Sequence, residues 1–569
     1  MTIPIRETQS SEFSRWIWGL SLALFAVSLG LLLFYRGLND PDEGRYAEIP
    51  REMLASGNWM EMRLMGFRYY EKPPLAYWIV AASLKAFGLN DGAARLPLLP
   101  VAAGVAALGF FLARKYWGRE KAWTPLLVMV TCVGFFMGMA FLLTDNFLVL
   151  WFSATCVLLY EACQKDVSPG QRWLFTLLAV AAVVLGALTK GLVAVVLPAG
   201  ILFLWLLWER RLGWLLHGSI PAAILLFFAL ITPIVLLIEK HNPGFFKVFV
   251  IEEHFSRFTG TREIQGHPEP FWFYFPIIPL LVLPWSLFLI RMVRNMKRAH
   301  ALKEDSLSRF LVLWAVVVVA FFSVSSGKLI SYIMPALIPF GLLLGRWGVG
   351  EPLDGSTTDR KLWKVGLSMI PIMGIVLLTL WIIAFHNIIP EDLSRPAPIT
   401  LVFFLPAVLL MILMWAIKTF RTWPAFVLLL ACIFLGFSVL LSPLGGRDFN
   451  GRLNSSCAIY KALGERLQPE DQVIMFKHYR PSFAFYINRI PWLYQVTNEM
   501  GQGIEMEPDR PGYLPDRNAL VKVAQQSSGR WYAMLQGKKL KELDERALAY
   551  NPHFIAADPE RIVVELKRD

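Results

Sequence analysis

Apolar runs long enough to cross a membrane constrain this chain more than any other feature of its sequence. Runs of roughly 15 to 21 residues recur along it, the clearest being Trp16–Tyr35, Leu98–Leu112, Trp123–Leu143 and Val365–Phe385. A helix needs roughly 20 apolar residues to span the hydrocarbon core of a bilayer. Charged residues make up only 17% of the 569, whereas a soluble protein carries about a quarter. The sequence therefore predicts a multi-pass α-helical membrane protein.

Lysine and arginine gather in short loops between these runs. The longest such loop, Arg291–Arg309, holds six lysines and arginines against two acids, Glu304 and Asp305. Positively charged loops remain in the cytoplasm, so these loops orient the chain. The net charge of +12 is explained by this bias, and we expect no nucleic-acid partner.

Placing every basic loop in the cytoplasm leaves one consistent path of about thirteen crossings. The crossings are predicted near residues 15–36, 93–113, 122–142, 146–163, 172–189, 192–208, 214–238, 271–290, 310–326, 329–345, 365–385, 398–417 and 422–441. Leu75–Phe87 is apolar but short, and we interpret it as an interfacial helix on the outer face. If it crossed the membrane, the topology would invert. The path predicts a transmembrane domain over 1–444, with outer loops at 37–92 and 239–270.

The composition turns polar after the last apolar run. Residues 445–569 are predicted to form a small periplasmic α/β domain, about the size of an ordinary domain. Its predicted strands are Val473–Phe476, Trp531–Leu535 and Arg561–Leu566, with a helix over Lys538–Tyr550. The five cysteines have no spacing that suits a metal site or a disulfide framework.

Charged residues collect on the outer side of this path. The first outer loop and the outer ends of later crossings contribute Asp42, Arg45, Glu71, Lys72, Asp145, Lys190, His254, Arg257 and Lys328. Each of these residues taken alone has a simpler interpretation. The lysines and arginines could be anchors that reach the membrane surface, and Asp42 and Asp145 could cap helices. Together they predict a site for an anionic ligand that is embedded in the membrane.

The residue types indicate what this site does. The cations Arg45, Lys72, Lys190, Arg257 and Lys328 are suited to neutralise phosphate oxygens, which makes phosphate a better leaving group. A carboxylate opposite them would act as a general base or orient an acceptor. Tyrosines 46, 69 and 70 offer surfaces for a sugar or an isoprenoid chain, although we expect most aromatic residues here to form the interfacial belt.

Several motifs resemble those of a known family. Asp42-Glu43, Glu71-Lys72-Pro73-Pro74, Ala93-Ala94-Arg95-Leu96-Pro97 and Asp145 resemble the membrane-embedded GT-C glycosyltransferases, which use polyprenyl-phosphate sugars. The strings Glu43–Ile49, Arg51–Gly57, Thr189–Gly191 and Glu253–Phe258 look like those of the 4-amino-4-deoxy-L-arabinose (aminoarabinose) lipid A transferases. The likeness extends to about residue 340 and fades beyond it.

This resemblance implies transfer of aminoarabinose from undecaprenyl phosphate to a lipid A phosphate, with inversion, which confers resistance to polymyxin. It implies an active site on the periplasmic side of a bacterial inner membrane, in a protein that we expect to be monomeric among membrane lipids. Asp42 would be the catalytic or acceptor-orienting acid and Asp145 a second acid. The remaining implied contacts to substrate are Arg45, Tyr46, Tyr69, Lys72, Lys190, Arg257, Lys328 and Tyr332.

No cofactor is required by this reading, although a divalent metal such as zinc remains an alternative. Glu71 and His254 would be its ligands, but a zinc centre needs three or four. Other functions stay open: a different polyprenyl-phosphate sugar transferase acting on protein, core or O-antigen, a lipid or solute transporter, or a sensor. A transporter would place its charges near the bilayer midplane, often within internal repeats, and this sequence shows neither.

Overall fold

The fold is known from a computed structural model. It describes residues 12–256, 269–351, 356–365, 405–410, 412–413, 423–441, 455–464, 466–497, 500–526, 529–539, 550–557 and 561–568, with positions 368, 372 and 375. Most of the predicted crossing near 365–385 and most of the one near 398–417 lie outside this part of the chain.

Helices make up the first three-quarters of the described chain. In chain order they are α1 (Glu12–Phe34), α2 (Asp42–Ser56), α3 (Leu75–Phe87), α4 (Asp91–Arg95), α5 (Leu98–Trp117), α6 (Arg119–Val130), α7 (Val133–Ala140), α8 (Thr144–Ala162), α9 (Pro169–Lys190), α10 (Val193–Trp208), α11 (Ser219–His241), α12 (Tyr274–Leu281), α13 (Phe288–Arg298), α14 (Ala301–Glu304), α15 (Ser306–Val324), α16 (Met334–Leu343) and α17 (Trp423–Leu441). Short 3₁₀ or π segments cover Leu212–Leu216, Lys247–Ser256, Ile330–Ile333 and Leu344–Val349.

Within the described ranges, 5 helices are long and apolar enough to cross a membrane, and 6 if one bent pair counts as a single span. Four shorter apolar helices coincide with the first, sixth and last predicted crossings and with Leu75–Phe87. The chain is therefore a multi-pass membrane protein. The total of thirteen crossings, and the position of Leu75–Phe87 at the membrane surface, stay predictions.

Two predicted crossings are not single helices. The run near 122–142 forms α6 and α7, which meet at 59°. The run near 271–290 forms α12 and the start of α13, with Pro284 in the break between them. Proline has no N–H to donate and clashes with the preceding helical turn, so an apolar run that contains it need not be one helix.

The first outer loop is built on α2. Asp42 and Glu43 stand in its first turn, where the helix dipole favours negative charge. The helix ends before Gly57, whose φ of 70° is the left-handed conformation common at helix C-termini. A two-stranded hairpin follows, β1 (Arg63–Leu64) with β2 (Phe67–Arg68), and then α3 packs beside α2. Every residue of α2 from Glu43 to Met53 is buried, so this outer loop is a folded part of the core.

The last part of the chain forms a mixed sheet with helices between its strands. The strands are β3 (Gln472–Phe476), β4 (Trp492–Tyr494), β5 (Tyr513–Leu514), β6 (Trp531–Gln536), β7 (Tyr550–Ala557) and β8 (Arg561–Arg568). The helices are α18 (Cys457–Leu463), α19 (Pro481–Ile487), α20 (Gly501–Met506) and α21 (Arg517–Gln526). The three strands predicted from sequence are all present.

The sheet order is β5-β4-β3-β6-β8-β7, with β5, β4, β3 and β6 parallel and the last two pairings antiparallel. Side chains alternate between faces, as the strand period requires. Val473 and Met475 join the main core, whereas Ile474 and Phe476 pack with α21. The predicted helix over Lys538–Tyr550 is wrong at its end, because Tyr550 begins β7; its middle lies outside the described residues.

This domain is attached to the first outer loop by polar contacts. The Asp40 carboxylate accepts hydrogen bonds from the Ser482 backbone N–H (2.8 Å) and hydroxyl, and from the Ser456 hydroxyl (3.2 Å). Further along, Arg63 donates to both carboxylate oxygens of Glu507, at 2.9 and 3.0 Å. These contacts hold the C-terminal domain against the first outer loop, and α19 packs against α2.

Candidate active site

A buried carboxylate anchors the N-terminal end of α2. Glu43 accepts hydrogen bonds from both Arg36 and Arg95, at 2.8–3.0 Å, and is 1% exposed. It also accepts the backbone N–H groups of Asn39 (2.9 Å) and Leu142 (2.8 Å). Burial opposes the charged form, but the two guanidinium groups outweigh it and lower the pKa of Glu43 to about 2. Glu43 therefore ties α2 to the segment that precedes α8.

Asp42, the neighbour of Glu43, is placed very differently. Its side chain is 51% exposed and contacts the Arg45 guanidinium one turn along α2. The residue at the N-cap position is Pro41, so Asp42 does not cap the helix. Arg45 lies over the ring of Tyr46, with 4.8 Å between the guanidinium carbon and the ring centroid. Asp42 is thus an accessible acid held beside a cation, as a catalytic or orienting role requires.

The Glu71 carboxylate is surrounded by donors. The Tyr69 hydroxyl donates to it at 3.3 Å, Lys72 Nζ lies 3.9 Å away, and an Arg45 nitrogen lies at 4.0 Å. Lys72 Nζ also donates to the Glu71 carbonyl at 3.0 Å. Arg45, Tyr69, Glu71 and Lys72, four of the predicted site residues, are therefore brought together at one place.

Tyrosine side chains pack behind these groups. Tyr46 and Tyr69 both contact Tyr77, with ring centroids 6.0 and 6.1 Å apart. Tyr46, Tyr69 and Tyr70 are no more than 6% exposed, so these three face other parts of the protein and do not form an interfacial belt. The predicted contacts of Tyr46 and Tyr69 with substrate stay predictions. Burial raises the pKa of Tyr46 and Tyr69, which keeps both phenols neutral and able to donate hydrogen bonds.

A second cluster forms at the ends of α8 and α9. Asp145, in the first turn of α8, forms an ion pair with Lys190 at the last residue of α9. Lys190 Nζ lies 4.5 Å from the centroid of the Tyr332 ring. Leu143 occupies the N-cap position of α8, so Asp145 is not a helix cap. Asp145 and Lys190 are 45 residues apart in sequence, so only the fold brings them together.

Tyr46 connects the two clusters. Burial raises the pKa of its hydroxyl, Arg45 opposes this, and the charges of Asp42 and Asp145 raise it further. The phenol therefore lies within electrostatic range of both acids. Together with the backbone hydrogen bond from Leu142 to Glu43, this places Asp42 and Asp145 around one region.

Lys328 is buried, and its side chain contacts backbone carbonyls. It is 4% exposed and its Nζ donates to the carbonyls of Ser325 and Glu269, both at 2.6 Å. Within the described residues it contacts neither Asp42 nor Asp145, so its direct role in binding substrate stays a prediction. Arg257 and the side chain of His254 lie outside the described part of the chain.

Of the two predicted metal ligands, only the side chain of Glu71 is among the described residues. Among them, no three His, Cys, Asp or Glu side chains meet in a way that could hold a metal ion. Glu71 supplies a single carboxylate that already has Arg45 and Lys72 beside it. Zinc needs three or four ligands, so we assign no step to a metal. All five cysteines are buried, and none of them forms a disulfide bond within the described part of the chain.

The sequence prediction missed the groups that position the site. Arg36, Glu43 and Arg95 form its buried support, and Tyr77 supports the tyrosines. Arg95 stood in a recognised motif but had no assigned role. The sequence did offer one signal for these residues. Burying a charged side chain beside an apolar span costs free energy unless it is paired, so Arg36 and Arg95 each needed a carboxylate partner.

Comparisons with known proteins agree with this arrangement. Residues 32–249 match the family described as dolichyl-phosphate-mannose-protein mannosyltransferase, and residues 459–566 match the aminoarabinose transferase C-terminal domain. A crystal structure of ArnT from Cupriavidus metallidurans bound to undecaprenyl phosphate is similar over 98% of both chains, with a TM-score of 0.80 and 25% identity.

Curated relatives point the same way. The undecaprenyl phosphate-α-4-amino-4-deoxy-L-arabinose arabinosyl transferase 1 of Pseudomonas fluorescens (strain Pf0-1) is 35% identical over 60% of this chain and 60% of its own length. Arabinosyl transferase 2 of the same strain is 31% identical over 67% of each chain. The match thus spans about three-fifths to two-thirds of these relatives. This chain belongs to the family of the undecaprenyl phosphate-aminoarabinose arabinosyl transferases, within the GT-C glycosyltransferases.

Proposed function

We propose that this chain transfers 4-amino-4-deoxy-L-arabinose from undecaprenyl phosphate to a phosphate of lipid A, with inversion at the anomeric carbon. The observation that carries the proposal is the junction of two clusters, Asp42 with Arg45 and Asp145 with Lys190, which the hydrogen bond from the Leu142 N–H to Glu43 holds near each other. Preorganised cations beside an accessible acid are what displacement of a phosphate leaving group needs.

The donor is assigned to the cations nearest Glu71. As the bond between the anomeric carbon and the carrier phosphate breaks, negative charge grows on the phosphate oxygens. Lys72 and Arg45 lie within 4.0 Å of the Glu71 carboxylate and provide donors that stabilise this charge. Arg257 is proposed to assist them on the evidence of the sequence alone.

The acceptor is assigned to the Asp42 side. A phosphate oxygen of the acceptor attacks the anomeric carbon, the new carbon–oxygen bond forms as the old one breaks, and undecaprenyl phosphate leaves with the bonding electrons. The acceptor phosphate is already ionised near neutral pH, so the step needs no strong base. Asp42 therefore orients the acceptor through its exposed carboxylate and need not remove a proton.

The second cluster is assigned to the sugar. Lys190 is held by Asp145 and by the face of Tyr332, which restricts the directions in which its Nζ can point. An aromatic face together with a fixed ion pair suits a polar pentose that carries an amino group. We propose that the Asp145 carboxylate receives this amino group.

The reaction is placed at the periplasmic face of a bacterial inner membrane. Basic loops at the opposite ends of the apolar runs support this orientation. The enzyme is proposed to act as a monomer on two lipid substrates, and the modified lipid A would carry less negative charge. Cationic peptides such as polymyxin would then bind the cell surface less strongly.

The proposal is tested by complementing a Gram-negative host that lacks its own transferase. The host would express this chain or its Asp42→Ala variant, and lipid A would be analysed by mass spectrometry. We expect growth in polymyxin and an aminoarabinose mass shift with the intact chain alone. Absence of both from a well-expressed intact chain would overturn the assignment of donor and acceptor.

The match of residues 32–249 to a protein mannosyltransferase family supports one alternative, a different polyprenyl-linked sugar or a protein acceptor. The same strains separate the two. A sugar mass on a periplasmic protein, with lipid A unchanged, would favour this alternative.

A further inference from the structure

The C-terminal sheet contains a point where the order of its parallel strands reverses. From β3 the chain proceeds outward to β4 and then β5, and afterwards returns to β6 on the other side of β3. In open α/β sheets the loops that follow two such strands separate at their carboxyl ends and leave a crevice, where ligands bind. The sheet therefore has one favoured ligand position, between the ends of β3 and β6.

The residues at this position are basic. β3 ends at Phe476 and is followed by Lys477, His478, Tyr479 and Arg480; β6 ends at Gln536 and is followed by Gly537, Lys538 and Lys539. Four of these seven residues are lysine or arginine, and neither segment contains an acid. We call these two segments the basic crevice.

The basic crevice is held together by its own contacts. Lys539 Nζ donates to the carbonyl of Lys477 at 2.8 Å, which joins the two loops. The Nε–H of Arg480 donates to Nε2 of His478 at 2.9 Å, and His478 is itself buried. Lys477, Arg480 and Lys539 are half-buried, and Lys538 is exposed. Lys477, Arg480 and Lys539 are thus held by the fold, and only Lys538 of the four cations is exposed to water.

Electrostatics then indicates the type of ligand. Like charges that lie close together repel, and they repel more strongly where they are partly buried. An anion with two or more negative oxygens relieves this repulsion at several cations at once. A phosphate monoester has such oxygens, whereas a neutral sugar has none.

The basic crevice lies beside the proposed active site. Arg480 stands two residues before Ser482, whose backbone N–H donates to Asp40 at 2.8 Å. Gly44 packs against the same residue so closely that a Cβ on it would lie 2.9 Å from the Ser482 Cα. Asp42, the exposed acid of α2, stands between these two contact points in sequence. A ligand in the basic crevice would therefore be close to the acid that orients the acceptor.

We propose that the basic crevice binds a phosphate group of the anionic glycolipid acceptor, and so holds it beside Asp42 for transfer. The inference rests on the proposed function, which it deepens by locating the acceptor. The carrier lipid also bears a phosphate, so an experiment must distinguish the two substrates.

The test compares three forms of the full-length protein in lipid nanodiscs: wild type, the double variant Lys477→Gln/Arg480→Gln, and the control Lys522→Gln. Lys522 is an exposed lysine of the same domain on α21, away from the strand ends. Melting temperatures establish that all three are folded. Lys477 joins the other loop through its backbone carbonyl, so its side chain can change without loss of that contact.

Two measurements are made on each form. The first is binding of lipid A, with its phosphates and after phosphatase treatment, in the absence of donor. The second is the steady-state KM for each substrate. We expect the double variant to bind phosphorylated lipid A at least about tenfold more weakly, with a matching rise in the acceptor KM, since it loses two charge-assisted hydrogen bonds to the phosphate. The donor KM and the control should not change.

Three results would overturn the inference: an unchanged acceptor KM, a rise in the donor KM alone, or equal binding of phosphorylated and dephosphorylated lipid A by wild type. The binding measurement needs no turnover. If wild type binds phosphorylated lipid A through the basic crevice but transfers no aminoarabinose, the assignment of the donor fails and that of the crevice stands.

Discussion

Glu43 accepts two hydrogen bonds of 2.8 Å from Arg95, and neither side chain is more than 1% exposed. Arg36 approaches the same carboxylate from the other side at 2.8 and 3.0 Å. One negative charge thus lies between two buried guanidinium groups. This relationship fixes the start of α2 against α4 and the end of α1.

Glu43→Gln should destabilise the protein severely. The amide keeps the shape of the side chain but leaves Arg36 and Arg95 buried with no negative partner at this position. Breaking a buried ion pair from one side costs about 3–5 kcal/mol. Thermal unfolding in nanodiscs measures the loss, and Glu120→Gln, an exposed acid at the start of α6, is the matched control. Equal melting temperatures for the two variants would contradict the structural role of Glu43.

The depressed pKa of Glu43 also predicts loss of stability in acid. The unfolded carboxyl has a pKa near 4.5 and the folded one about 2. Between these values the unfolded state binds more protons, so the contribution of Glu43 is complete above pH 4.5 and falls as pH approaches 2. Melting temperatures of wild type and Glu43→Gln should converge over this range. A constant difference between them would argue against this linkage.

Glu52 predicts the opposite dependence on pH. Its carboxyl is 5% exposed; burial, followed by the charge of Glu48, raises its pKa to about 8. The folded state then holds a proton that the unfolded state loses above pH 4.5, so stability decreases as pH rises from 4.5 to 8, by up to about 1.4 kcal/mol per pH unit. Glu52→Gln cannot ionise and should gain stability relative to wild type across this window. If the melting temperatures of wild type and Glu52→Gln differ by a constant amount from pH 5 to 9, Glu52 is already ionised in the folded protein.

Asp42→Asn should separate catalysis from folding. The Asp42 side chain is half exposed, so its loss of charge should leave the melting temperature unchanged. We expect turnover to fall by about 100-fold, the loss typical of a misplaced reactant. Initial rates with saturating donor and acceptor measure the effect. A variant with near-wild-type turnover would remove any role for the charge.

Asp145 and Lys190 should behave as a coupled pair. Their side chains are 10% and 12% exposed, so each single change, Asp145→Asn or Lys190→Met, leaves a charge poorly solvated. The double variant should be less destabilised than the sum of the singles, with a coupling energy of about 1–3 kcal/mol. A double-mutant cycle on unfolding free energy tests this. Additive effects would mean that the ion pair contributes nothing to stability.

Much of the architecture follows from local patterns. Long runs of apolar residues give helices, and short runs rich in β-branched and aromatic residues give β3, β6 and β8, because span length and strand propensity depend on neighbouring residues. Broken helices were harder to predict. The run near 271–290 has the composition of one span but forms α12 and α13, with Pro284 between them.

The composition of the site was also predictable, because acids and cations at one membrane face are unusual. Arg45, Tyr69, Glu71 and Lys72 meet as expected, and so do Asp145, Lys190 and Tyr332. Lys328 was placed in the same group by its charge and its predicted side of the membrane. Its contacts to two backbone carbonyls depend on how distant segments fold, which no local pattern contains.

Asp42 and Glu43 show most clearly what the sequence alone determined and what it left to the tertiary structure. Their position at the start of a helix follows from the chain itself, since acids there favour the helix dipole. Their roles do not. Successive residues on a helix point about 100° apart, so one carboxylate lies between Arg36 and Arg95 while the other stays half exposed. Those two arginines come from segments on either side of α2, and only the folded chain brings them to Glu43.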